Sequence, residues 1–173
     1  FPKPFRKLEA FYTSGGSSTL PETLRGKVKN LDYKTIRYPG HSQFIKFMLD
    51  LGLFSSEPVL IDKQKIIPRR LSAYLLSKYL PANQPDVVLI RIEIEGQRKA
   101  KKVKNICDCI DYYDPKTKLT AMQRTTGFPV AIIAQMLASG QIKTKGVIPQ
   151  ELAVPGDIFI KELKKRNIKF TRS

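Results

Sequence analysis

The residues best suited to chemistry fall in one short stretch: Thr35, Arg37, Tyr38 and His41, with Pro39-Gly40 between them. A planar guanidinium takes a carboxylate through two parallel hydrogen bonds, which makes Arg37 the first choice for a substrate carboxylate. Tyr38 and Thr35 supply hydroxyls. His41, the only histidine of the chain, is of the residue type suited to a proton relay. A structural hydrogen bond at a helix start is the alternative for His41, and both readings stay open. The chemistry suggested is capture of a small, carboxylate-bearing molecule.

The surrounding pattern supplies the elements that must position these groups. Residues 33–38 are rich in β-branched and aromatic types and read as a strand. Pro39-Gly40 stops and turns it. Phe44, Ile45, Met48, Leu49 and Leu51 then recur at helical spacing from His41 onward, with Gly52 at the C-cap. The start of that helix is expected to offer free backbone N–H groups to an anion. A second polar loop runs through Thr13-Ser14-Gly15-Gly16-Ser17-Ser18-Thr19, after a strand at residues 8–12. Its hydroxyls, Ser18 and Thr19 among them, can hold a carboxylate; a plain flexible turn is the alternative. Thr19 and Glu22 have the spacing of a capping box.

Further along, residues 54–65 read as a polar loop with a short apolar run at Val59-Leu60-Ile61. A helix is expected over 69–80, ended by Pro81, and a turn over 83–86. Residues 86–95 and 103–113 predict a long antiparallel hairpin with a basic tip over 96–102, its Ile90-Ile92-Ile94 face buried. Asp108, Asp111 and Asp114 near the strand end read as solvated turn acids. A helix is expected over 130–139, preceded by a Thr125-Thr126-Gly127 loop whose amides can meet an anionic group. Residues 146–155 read as a loop, 157–166 as an amphipathic helix with Asp157 as N-cap, and 168–170 as a final strand. The order of elements predicts an α+β fold: a mixed or antiparallel sheet with helices packed on one face.

The composition sets outer limits. The chain of 173 residues is long enough for one domain with a real core, and 42% hydrophobic with 27% charged residues is ordinary for a globular protein. No apolar run approaches the ~20 residues of a membrane span, and no membrane association is expected. Cys107 and Cys109 alternate on a strand, too close for an unstrained bridge, and read as reduced and structural in a cytoplasmic protein. With only a distant His41 as a further soft ligand, no metal site is expected. A net charge of +16 raises the question of nucleic acid. The lysines are spread along the chain and no zinc-finger or aromatic RNA-binding motif accompanies them, so a solvated lysine-rich surface is favoured. A stand-alone basic domain binding nucleic acid, and a module that only dimerises, remain the alternative functions. Phe1 is not a start methionine, and the chain is expected to be cut from something longer.

Well-spaced blocks carry a resemblance across nearly the whole chain. Lys34-Thr35-Ile36-Arg37-Tyr38-Pro39-Gly40-His41 with Leu51-Gly52-Leu53-Phe54, and Leu8 to Pro21, are joined by Arg124-Thr125-Thr126-Gly127-Phe128-Pro129 and Gly146 to Glu151. They resemble the saccharopine dehydrogenase family, most of all its lysine dehydrogenase branch. The resemblance implies a glyceraldehyde-3-phosphate dehydrogenase-like C-terminal catalytic domain over residues 1–173. It implies an oxidoreductase that transfers a hydride from an amine-bearing carbon of a lysine-like amino acid to NAD or NADP. No G-x-G-x-x-G follows a strand, so the cofactor is expected to be bound mainly by an N-terminal Rossmann domain that this chain lacks, leaving the chain alone inactive. Thr125, Thr126 and Gly127 are implied to face that cofactor domain, and a homo-oligomer is expected.

Overall fold

The computed structural model describes residues 1–5, 7–13, 15–80 and 84–172. Ser14 of the polar loop, Pro81 as a helix stop and Asn83 as the start of a turn lie outside the described residues. The backbone gathers into two compact units, Phe1–Asn83 and Gln84–Ser173.

The first unit is built of short pieces. β1 (Glu9–Phe11) is followed by α1 (Leu20–Thr23), β2 (Thr35–Arg37) and α2 (His41–Asp50), then β3 (Val59–Ile61), β4 (Gln64–Ile66) and α3 (Pro68–Tyr79). β1 and β2 pair antiparallel, with Glu9 opposite Arg37 and Phe11 opposite Thr35. The stretch expected as a loop at 54–65 is instead largely a hairpin. Asp62 and Lys63 both hold positive φ (48° and 64°), the twisted two-residue turn that lets Val59–Ile61 fold back on Gln64–Ile66. Pro68 opens α3 at a position where its missing N–H costs nothing. The buried Ser72 hydroxyl of α3 donates to the Leu53 carbonyl at 2.8 Å, fastening α3 to the segment after α2.

The second unit is the better packed. β5 (Val87–Arg98) and β6 (Lys101–Tyr112) form an antiparallel ribbon; α4 (Ala121–Ala138), α5 (Gln150–Ala153), α6 (Gly156–Lys165) and β7 (Phe170–Arg172) follow. Among the described residues the sheet order is β5-β6-β7, all antiparallel. The core joins Cys109 of β6, Ile132 and Met136 of α4, Leu163 of α6, and Ile142 and Ile168 of the connections, with Ile90 and Phe170 packed against it. Helices on a purely antiparallel sheet make this an α+β fold. Burial pushes the Cys109 thiol up to about 11, so it stays protonated and serves as an apolar group.

The structure departs from several local expectations. The ribbon turns at Lys99-Ala100, both at positive φ (51° and 61°), and not over 96–102; Gly96 stays in the strand. Only the base of the isoleucine face is covered: Ile90 packs on the core, while Ile92 and Ile94 are 46% and 63% exposed. α4 starts nine residues before the expected position. Thr120 and Gln123 form a reciprocal capping box, and the Asp86 carboxylate accepts from the Ala121 and Met122 amides at 2.6 and 2.9 Å. That strong start carries the helix through Pro129, which looked like a boundary. The expected loop at 146–155 contains the single turn α5, α6 starts one residue before Asp157, and the last strand begins at Phe170 so that Ile168 can enter the core. Asp111 is no solvated acid. It is buried against Arg124 of α4, which reaches it through Nε at 2.9 Å and Nη2 at 3.2 Å, reaches Asp114 at 3.3 Å, and donates to the Arg166 carbonyl after α6 at 3.2 Å.

This packing predicts a contrast along one helix. Ile132→Ala, at the centre of the core, is expected to lower stability by about 2–5 kcal/mol. Val130→Ala, on the exposed side of α4, is expected to stay within ~0.5 kcal/mol. Urea denaturation of both variants measures the difference, and equal losses would contradict the assigned core.

Candidate functional site

β1 places Glu9 and Phe11 on one face, two residues apart. That face meets the start of α2. The Gly40 and Ser42 amides donate to the two Glu9 carboxylate oxygens at 3.1 and 2.6 Å. Gly40 turns the chain in the left-handed region (φ 96°), which glycine enters without steric cost. Phe11 stacks on the His41 ring, with centroids 6.0 Å apart and planes 18° from parallel. The expectation that this helix start offers free amides to an external anion is therefore overturned. The chain's own Glu9 occupies two of them, and the hydrogen bond from Ser42 holds the Glu9 carboxyl below its ordinary 4.5.

The same clamp leaves Arg37 available. Although Glu9 stands opposite it in register, Arg37 makes only a 2.8 Å hydrogen bond to the neighbouring Ile36 carbonyl and no ion pair among the described residues. Its side chain and those of Tyr38 and His41 are exposed. The Thr35 hydroxyl is shared with that of Thr13 at 2.8 Å.

A cavity of about 430 Å³ opens beside this ribbon, with Tyr12, Gly16, Ser17, Ser18, Asp32 and Tyr33 in its wall. Asp32 accepts from the Tyr12 hydroxyl at 3.2 Å and pairs with Lys34 at 3.0 Å, and the Lys34 ammonium lies 5.1 Å from the centre of the Tyr12 ring. The Lys34 hydrogen bond holds the Asp32 carboxyl below its usual range, so it is ionised at neutral pH. Tyr33 packs against Gly16: a Cβ there would come within 1.9 Å of the ring. Only glycine keeps this wall in place.

Of the residues read from the sequence, Ser18 lines the cavity, Thr35 is tied to its rim through Thr13, and Arg37, Tyr38 and His41 continue along β2 into α2. Thr19 is absent from the cavity wall. It precedes α1 with helical dihedrals (φ −84°, ψ −9°), so its hydroxyl does not reach the third amide and the expected capping box is absent. Thr125, Thr126 and Gly127 are not a loop but the interior of α4. The Thr125 hydroxyl donates to the Ala121 carbonyl at 2.8 Å. Backbone amides within a helix are bonded along it, so this segment does not form a cradle for a pyrophosphate. Glu9, Tyr12, Asp32 and Tyr33 escaped the sequence reading as site residues, and Gly16 was read only as part of the polar loop. Their one signal is alternation: Glu9 with Phe11, and Asp32 with Lys34, are spaced to share a face.

Among the described residues no group of three or more His, Cys, Asp or Glu side chains is placed to hold a metal, and no helix is long and apolar enough to cross a membrane. Fold and site together define an α+β domain with a polar cavity of small-molecule size. Residues 2–168 match the saccharopine dehydrogenase C-terminal domain, and the chain belongs to that family. It is thereby a domain of saccharopine dehydrogenase-like oxidoreductases.

The Glu9 clamp predicts a pH signature. With a folded pKa below that of the unfolded chain, its contribution is fully present above about pH 4.5 and disappears as pH falls through the lower folded value. Glu9→Gln is expected to lower the melting temperature at pH 7, with the gap narrowing progressively as pH falls below 4.5. Thermal melts of both proteins across pH 3–7 read this, and a gap independent of pH would contradict it.

Proposed function

We propose that the chain is the substrate-positioning C-terminal part of an NAD(P)-dependent amino-acid oxidoreductase of the saccharopine or lysine dehydrogenase type. The observation that carries the proposal is the cavity with an ionised carboxylate and two phenol rings, beside a strand that ends in an arginine without an ion-pair partner among the described residues. A lysine-like amino acid is a cation, an aliphatic stem and a carboxylate. Asp32 accepts from the ammonium, the faces of Tyr12 and Tyr33 flank the stem, and the Ser17 and Ser18 hydroxyls bond the remaining polar atoms. Arg37 takes the carboxylate with its spare N–H donors, Tyr38 and Thr35 add hydroxyls, and His41, held by Phe11, relays a proton at the exposed end of its ring. Holding the amine-bearing carbon in one orientation is the contribution of this part to the rate.

Hydride transfer requires NAD or NADP, which we assign mainly to a separate dinucleotide-binding domain. The chain has no glycine fingerprint and the amides at 125–127 are committed to α4, so its residues do not fit the pyrophosphate. The partners of the proposal are thus an amino acid and that N-terminal domain, in a cytoplasmic enzyme.

The test is steady-state kinetics of the full-length enzyme. Arg37→Lys and Asp32→Asn are each expected to raise KM for the amino acid about 10- to 100-fold, because each loses a hydrogen-bonded charge contact. A lysine at 37 recovers little, since a point charge cannot reproduce the planar fork. Melting temperatures are expected to change little, both side chains being exposed. Unchanged kinetics in both variants would refute the site.

A further inference from the structure

The ribbon of β5 and β6 outruns its own core. From Arg91 to Arg98 every residue of β5 is exposed, an arm about 26 Å long at the usual rise of a strand. The end of the arm is basic. No acid lies between Gln97 and Asn105. Lys104 is held by Glu93 and Glu95 at 3.1 and 2.8 Å, but Arg98, Lys99, Lys101 and Lys102 make no ion pair among the described residues. Three features of this tip act against its stability. Arg98 stands directly opposite Lys101, and like charges facing across a ladder repel. The turn needs positive φ at both central residues, which favours asparagine and glycine, yet Lys99 and Ala100 build it at 51° and 61°. Gly96 sits inside the strand opposite Val103, where glycine weakens the strand and lets another molecule approach closely. Conflicts of this kind with local stability concentrate where a chain meets a ligand.

Along the sequence the lysines are spread, but the ribbon gathers these four cations at one end and sets them around it. Arg98 and Lys101, a cross-strand pair, share one face; Lys102, paired with Gln97, takes the opposite face; Lys99 stands at the turn. A flat anionic surface, such as a bilayer or the face of an acidic protein, meets only one side of a ribbon. A groove with an anionic wall on each side meets both. The major groove of B-form DNA has that shape: it is about 12 Å wide, admits a two-stranded ribbon and runs between two rows of phosphates. In duplex RNA the same groove is too narrow for side chains to enter. Single strands are gripped by stacking on aromatic rings, and residues 91–104 contain none.

We propose that the tip of the β5–β6 ribbon is a DNA-binding finger: it enters the major groove of a B-form duplex and meets phosphates on both walls through Arg98, Lys99, Lys101 and Lys102. Contacts to phosphate position a protein without reading bases, so the binding is independent of sequence. This activity is separate from the amino-acid cavity, which lies in the first unit.

Fluorescence anisotropy of a short labelled DNA duplex of mixed sequence, titrated with the full-length protein, tests this. Between about 50 and 200 mM salt the affinity is expected to fall with a log–log slope of about −3 to −4, near 0.9 for each of four phosphates. Lys102→Gln is expected to make that slope shallower by about one. A variant with Arg98→Gln, Lys99→Gln, Lys101→Gln and Lys102→Gln is expected to lose at least about 10-fold in affinity. Its melting temperature is expected to hold or rise, because the Arg98–Lys101 repulsion is gone. The control replaces four exposed lysines elsewhere in the unit, Lys143, Lys145, Lys161 and Lys164, by glutamine. It removes the same charge and is expected to stay within about threefold of the wild type, so that diffuse attraction by net charge is told apart from a site. Absence of saturable binding at the lowest salt, equal losses in the two fourfold variants, or binding of single strands or duplex RNA as tight as that of duplex DNA would each overturn the proposal.

Discussion

The first amides of an α-helix have no partner within the helix, and a fold must supply one or leave them to water. This chain supplies carboxylates from neighbouring strands. In the first unit Glu9 of β1 closes the start of α2; in the second, Asp86, just before β5, closes the start of α4. Each carboxylate also sits at the favourable positive end of the helix dipole. The arrangement ties the start of each helix to a neighbouring segment of the same unit, and much else follows from it. His41 is fixed next to Phe11 because α2 must begin where Glu9 can reach. The row through Thr125 to Gly127 is helix because α4 begins at Ala121.

The interior of the second unit rests on a comparable commitment. Arg124 enters a mostly apolar setting and brings its donors to Asp111, Asp114 and the Arg166 carbonyl. A buried guanidinium is tolerated only when its donors are matched, and removing one partner leaves a charge stranded. Here matching ties β6, α4 and the end of α6 through one side chain. No buried side-chain polar atom is without a partner among the described residues, so the polar interior specifies the packing and does not loosen it.

In the first unit the charges are arranged the other way, near the surface and beside space. Asp32 is ionised and stands at a cavity, Arg37 keeps most of its donors, and Glu9, the acid best placed to neutralise Arg37, is engaged with α2. Asp32, just before β2, and Arg37, at its end, thus have different neighbours, and both stay exposed.

Much of this was legible in the sequence. The strand–turn–helix from Thr35 to Asp50 follows from β-branched residues, Pro39-Gly40 and helical periodicity, all of them local. The β5–β6 ribbon follows from alternation, and the family blocks from residue identity. What the sequence could not determine depends on residues far apart along the chain. Glu9 lies more than thirty positions from Ser42, and its capture of the helix start, which removes the anion site that local reasoning suggested, exists only once β1 pairs with β2. Tyr33 on Gly16, and Asp32 between Tyr12 and Lys34, likewise need the ribbon to form first. Ile92 and Ile94 alternate as buried residues do, yet whether a face is covered depends on what packs against it, and the core of the second unit ends at Ile90. Local pattern fixed many of the elements but not the β3–β4 hairpin or the true start of α4; the pairing of distant side chains decided which groups remained free to act.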